Sequence, residues 1–266
     1  MDLMKKNLAP IADEAWDEIE KQAQITLKGN LSARGLVDFD GPHGWKKASV
    51  NLGRAKLAES GVIEGVLFGK RDVQPLIETR VNFALDLKDL DDVERGLKTP
   101  DLEPLIAACR KAAQFEEKAV YLGFEKGGIA GIFKSSEHTP IKIKNEAKSF
   151  AKSIEEAVVA LQKGGIGGPH NLVLGTALYQ TLMEGESGYP LKKRVDDIIR
   201  GKIAWSPALK GGALISGRGG DFIFTVGQDL SLGYAGHTAE KVNLFIAESF
   251  TFQVIEPKAA IEIALQ

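Results

Sequence analysis

The chain is expected to fold as an α+β protein, on three observations. Arg80–Leu87 and Val242–Val254 alternate apolar and polar residues with period two, the mark of strands with one buried face. Asp101–Lys126 and Phe150–Lys163 repeat apolar residues every three or four positions, as amphipathic helices do. Finally, the strand-like and helix-like segments do not alternate regularly, so no doubly wound parallel sheet is implied.

A chain of 266 residues suffices for one large domain or two intimately joined ones. Apolar content of 44% and charged content of 26% are those of an ordinary globular protein. Thirty-four basic against 36 acidic residues leave a net charge of −2, so no global field favours nucleic acid or an anionic membrane as partner. The single cysteine, Cys109, excludes an internal disulfide framework and fits a reducing cytoplasm. The opening residues are basic without a following apolar run, and no segment is apolar for long enough to span a bilayer. Neither export nor membrane insertion is expected.

In chain order, residues 12 to 34 give the first helix, with Trp16, Ile19, Ala23, Ile25, Leu27 and Leu31 near helical spacing, Pro10 before it and Gly35 after it. Its broad stripe faces either the chain's own sheet or another chain. Leu52–Ala58 and Val62–Phe68 flank Glu59-Ser60-Gly61 as a hairpin with apolar residues on both faces, which must lean on the core or on a neighbouring subunit. The acidic run from Asp86 to Glu94 lacks the spacing and turn glycine of a calcium loop and reads as a solvated helix start. Asp101–Lys126 carries the stripe Leu105, Cys109, Ala112, Phe115, Ala119 and Leu122, and about 40 Å of helix at ~1.5 Å per residue makes it a spine. After Phe150–Lys163 come a glycine-rich loop, a strand at Leu172–Leu174, helices at Thr176–Glu184 and Pro190–Arg200, and strands near Ile203–Trp205, Ala213–Ser216 and Phe222–Val226.

No catalytic constellation emerges. His43, His138, His170 and His237 are scattered, no serine sits in a nucleophile elbow, and the glycine-rich loop follows a helix instead of opening one. Cys109 lies on an apolar stripe, where a cysteine acts as a small hydrophobe.

Several sequence pieces occur together, in order: Leu8-Ala9-Pro10 with Trp16 and Ile19; Gly41-Pro42 before Gly44-Trp45; Asp92-Val93-Glu94-Arg95-Gly96; Gly188-Tyr189-Pro190-Leu191; Arg218-Gly219-Gly220-Asp221-Phe222; Gly227 to Tyr234; and Glu248-Ser249-Phe250-Thr251-Phe252. In these the chain resembles the encapsulin shell proteins, once grouped with linocin-type bacteriocins, which share the HK97 phage-capsid-like fold. The resemblance spans essentially the whole chain.

That resemblance implies a self-assembling icosahedral nanocompartment in the cytoplasm, with no catalysis of its own. Residues 1–45 would hold a lumen-facing helix and the start of a peripheral domain, and 46–74 an extended hairpin loop reaching over a neighbour. The spine helix would belong to the peripheral domain in 75–129, the axial domain would occupy 130–224, and 225–266 would return to the peripheral domain. Glu186, Ser187, Gly188 and Tyr189 would line a five-fold pore. A cargo enzyme, ferritin-like or a dye-decolorizing peroxidase, would dock its C-terminal targeting peptide on Ile25, Leu31, Arg34, Asp38, Asp229, Leu230 and Leu232, in iron storage or oxidative-stress defence. Cofactors stay open, because Lys88 stands where an aromatic residue would stack on flavin. The alternatives are a prophage major capsid protein and a bacteriocin or protease-like hydrolase using Cys109.

Overall fold

A computed structural model describes residues 3–58, 63, 65–184 and 190–266. In chain order the elements are α1 (Asp13–Lys28), β1 (Asp38–Asp40), β2 (Ser49–Ala58), β3 (Phe68–Pro75), β4 (Ile77–Asp86), α2 (Leu87–Glu94), α3 (Glu103–Tyr121), α4 (Ile132–Ser135), β5 (Ile141–Ile143), α5 (Ala147–Lys163) and β6 (His170–Leu174). There follow α6 (Thr176–Glu184), α7 (Leu191–Ile199), β7 (Arg200–Trp205), β8 (Gly212–Ser216), β9 (Phe222–Val226), β10 (Ser231–His237), β11 (Lys241–Val254) and β12 (Ala260–Leu265).

The first sheet is built on β11, the longest strand. Along one side it pairs antiparallel with β4, from Lys241↔Asp86 to Phe250↔Ile77. Along the other it holds β10 and then β9 end to end, and β1 adds in parallel outside β9. The period-two pattern of β11 implies one buried face, but its residues from Leu244 to Phe252 are all buried. Val242, Leu244 and Ile246 face α1 and α3, while Phe245 and Ala247 on the opposite face are covered by Met4 and Trp45. The second sheet has the order β5-β12-β8-β6-β7, and α5, α6 and α7 cover its core with Phe150, Ile154, Leu161, Leu178 and Val195.

Three boundaries depart from expectation. The first helix stops at Lys28 because the Asn30 side chain donates to the Thr26 carbonyl at 2.7 Å just past Gly29, and a 3-10 turn, Ala33–Gly35, carries the chain on. The spine α3 is 19 residues long, about 29 Å at ~1.5 Å per residue, and Gly123 bends the chain under Ala130 where a Cβ would meet that carbonyl at 2.1 Å. The final strand β12 joins the second sheet between β5 and β8, so residues 225–266, expected as one return to the peripheral domain, divide between the two sheets. Conversely β9, expected to lie mostly in the axial part, belongs to the sheet of β11. The acidic run is a helix start as expected, with the Asp86 carboxylate accepting from the Lys88 and Asp89 amides.

Candidate functional site: a groove behind the first helix

α1 lies on the first sheet through Trp16, Ile19 and Ala23, three and four residues apart, with Ala15 beside them and Asp13 and Glu14 at its positive end. Between its far flank and β10 opens a groove of about 620 Å³. Ala23 and Leu27 form its helix wall; Leu31 and Arg34 close one end, and Asp229, Leu230 and Leu232 line the sheet side with Ile246 beneath. Met4 and Lys6, from the segment that precedes α1, supply a further wall. Lys6 is fixed by an ion pair to Glu20 and by the Trp16 ring, 4.6 Å from its Nζ.

Arg34 is the polar anchor of this groove. Its Nε and Nη2 donate to both Glu116 carboxylate oxygens at 2.7–3.0 Å, Nη1 donates to Asp229 Oδ1 at 2.7 Å, and Nη2 also donates to Glu248. Glu116 and Glu248 are wholly buried. Burial works to lower the guanidinium's pKa, but the hydrogen bond to Glu116 and the charges of Glu116, Glu248 and Asp229 outweigh it and hold the pKa above its ordinary value. The Glu248 carboxyl is pushed well above the usual carboxylate range by burial and by the neighbouring Glu116 charge, against the pull of Arg34. Asp229 in turn accepts from the Leu230 amide at 2.8 Å, so the turn that enters β10 is tied directly to Arg34.

At the next residue of α3, Glu117 accepts from the Ser32 amide and hydroxyl, the Ala33 amide and the Ser206 hydroxyl, all within 2.5–2.8 Å. Burial raises its pKa nonetheless. The Ser32 hydroxyl also meets the Tyr121 hydroxyl at 2.9 Å. This network fastens the end of the groove to the spine and, through Ser206, to the second sheet. A buried network with every member satisfied fixes one arrangement.

Of the seven residues expected to meet cargo, Leu31, Arg34, Asp229, Leu230 and Leu232 line this one groove. Ile25 does not: it stands 59% exposed on another face of α1. Asp38 is turned to a different cavity, where its carboxylate accepts from the Gly220 amide at 2.6 Å. Glu186, Ser187, Gly188 and Tyr189 lie outside the described residues. Sequence reasoning missed Glu116, Glu117 and Glu248. The signal was present: Glu116 follows Cys109 and Ala112 by seven and four residues on the spine's stripe, and Glu248 holds an even, inward position of β11.

Cys109 is fully buried and burial pushes its thiol up to about 12, the opposite of an activated nucleophile. No group of three or more potential metal ligands occurs among the described residues. No described helix is long and apolar enough to cross a membrane.

Two sheets, a long helix, a two-stranded arm and a grooved N-terminal helix make up a fold of the HK97 phage-capsid type. The fold aligns with a virus-like particle from Pyrococcus furiosus at a TM-score of 0.67 and 17% identity, covering 94% of this chain and 99% of that one. It aligns with the capsid of Myoviridae Phage XM1 at 0.57 and 12%, covering 88% and 91%. A family model described as encapsulating protein for peroxidase matches residues 1–251. The type 1 encapsulin shell protein of Rhodospirillum rubrum is 43% identical over 98% of this chain and 96% of its own length. That of Brevibacterium linens is 34% identical, with both chains covered in full. The chain belongs to the encapsulin shell-protein family: it is a structural subunit of a nanocompartment shell and not an enzyme.

Proposed function

We propose that this chain closes into a cytoplasmic icosahedral shell and retains a cargo enzyme by its C-terminal peptide, docked in the groove behind α1. The groove itself carries the reading: leucines from α1, the turn after it and β10 converge on one cleft, with Arg34 and Asp229 fixed at its end. Apolar pockets with a few convergent polar groups suit a disordered peptide that orders on binding. Modest affinity at each site suffices, because an oligomeric cargo engages several subunits at once. In this reading α1 faces the lumen, the β2–β3 arm reaches over a neighbour and Glu186 contributes to an acidic pore.

The cargo is a redox enzyme, a peroxidase or a ferritin-like protein acting in oxidative-stress defence or iron storage. The family description names a peroxidase, and a diheme-cytochrome–encapsulin shell fusion protein of Kuenenia stuttgartiensis is 26% identical over 65% of this chain. The test is co-expression with a peroxidase from the same genome that carries a C-terminal extension. Leu31→Asp puts a charge in an apolar cleft and is expected to give closed but empty particles. Equal loading of variant and parent rejects the groove.

A further inference from the structure

The run Arg218-Gly219-Gly220-Asp221-Phe222 serves neither the groove nor the arm, and it lies where the two sheets meet. Among the described strands the chain crosses between the sheets three times, from β4 to β5, from β8 to β9 and from β11 to β12. The last two crossings are bonded to each other, because the Ile255 and Glu256 amides both donate to the Asp221 carbonyl, at 2.8 and 3.3 Å. The Asp221 carboxylate is buried and accepts from Nε and Nη2 of Arg218 at 2.9 and 2.7 Å. Between these two residues Gly219 and Gly220 are both left-handed (φ 82° and 81°), a conformation that a side chain would strain. A bidentate ion pair closing so short a loop gives it one shape.

The seam beside this loop is packed in one part and open in another. Phe222, Phe224, Phe250 and Phe252 of the first sheet share one continuous core with Leu214, Ile215 and Ile261 of the second. Phe222 and Leu36, at the margin of that core, also line a cavity of about 460 Å³. Polar contacts span this cavity. From the second sheet, Lys202 Nζ donates to the Gly35 carbonyl at 2.8 Å, and the Asn171 amide donates to the Leu36 carbonyl at 3.2 Å. From the first, Asp38 at the start of β1 accepts from the Gly220 amide at 2.6 Å. Apolar burial is non-directional, whereas hydrogen bonds fix distance and angle. The core therefore holds the sheets together, and these struts set how wide the cavity stands.

We propose that the struts at this seam fix the angle between the two sheets and, through it, the diameter of the shell. This rests on the chain's closing into a shell. The arm is rooted on the first sheet through Gln74, so a rotation of one sheet on the other re-aims the arm relative to the helices of the second. In a closed assembly of identical contacts, a small change of rotation decides where the assembly closes. Asp38, which stands outside the groove, takes its role here.

The test is the full-length chain with Asp38→Ala and Lys202→Ala together, since both side chains are exposed and their loss spares the core. Spin labels at Lys142→Cys on β5 and Asn243→Cys on β11, exposed positions on the two sheets, report the angle in chains diluted with unlabelled subunits. Buried Cys109 takes no label. The width of the label-distance distribution is expected to at least double, and electron micrographs should show several diameters or open sheets where the parent gives one diameter. Lys192→Ala, which breaks an exposed ion pair on α7, should change neither. An unchanged distance distribution overturns the proposal, and so does a doubled width with particles of the parental diameter alone. A parent that forms no closed particle overturns the shell reading, and with it the link to diameter, whatever the labels show.

Discussion

The β2–β3 arm and the β11 sheet use apolar side chains of the same kinds in opposite surroundings. Ile63, Leu67 and Phe68 are 67%, 71% and 53% exposed, whereas Phe224, Phe250 and Phe252 are at most 2% exposed. The arm is held to the body at its base, where the Gln74 amide donates to the Thr251 hydroxyl and the Phe252 carbonyl, each at 2.9 Å. Among the described residues its outer part pairs only with itself, from Ala55↔Arg71 to Ala58↔Phe68. A two-stranded ribbon is marginal in water, and exposed apolar surface of this extent marks an interaction site, which suits the contact with a neighbouring copy proposed above. The sheet thus holds the subunit together, and in the proposed shell the arm holds subunits to each other.

Deleting residues 53–69 separates the two roles most sharply: closed particles should vanish from electron micrographs, and particles of normal size would contradict the role given to the arm. Next in size is a pair of truncations. Phe250→Ala empties a site where that ring stacks on Phe224 at 5.2 Å, and should cost the subunit about 3–5 kcal/mol in denaturant unfolding. Phe68→Ala should leave unfolding of the dissociated subunit within about 0.5 kcal/mol while weakening assembly. Equal destabilisation by the two would erase the distinction.

The smallest effect is that of pH on the sheet's buried carboxyls. The folded chain raises the pKa of Glu248 above its ordinary 4.5, so folding takes up a proton there. That contribution is complete below the unfolded value and is lost as pH rises through the folded one. Glu117 acts with the same sign. Glu248→Gln keeps the shape without the charge and should make the fall of the thermal midpoint with rising pH shallower. Phe68→Ala removes no ionisable group and should leave the slope unchanged. An unchanged slope in Glu248→Gln would remove Glu248 from the pH response.

Strong periodicity made much of this legible in the sequence. α6 and β9 match their expected bounds residue for residue, and α5 and β4 differ by three residues at one end and by three at the start and one at the end. Those segments are long or cleanly patterned, so local signal and tertiary packing agree. β1 and β5, at three residues each, carry no readable period, and Ala260–Leu265 was passed over although it ends inside a sheet. In the hairpin, the strands run to Pro75 through polar Lys70, Arg71 and Asp72, because backbone pairing there does not depend on a buried face. The groove's leucines could be placed by resemblance. Its anchor could not, since Arg34 meets carboxylates 82, 195 and 214 residues away.

The position of β12 bears on how the shell is made in a cell. β5, formed from residues 141–143, has as its only strand neighbour among the described residues a segment more than a hundred residues later in the chain. Until residues 260–265 have left the ribosome, β5 is unpaired and β8 lacks one side of its ladder. Such distant pairing forms late. A nascent subunit therefore carries an unfinished second sheet while the arm, made far earlier, is already available. On the proposed function, a subunit becomes competent to join its neighbours only once β12 has emerged and closed the second sheet.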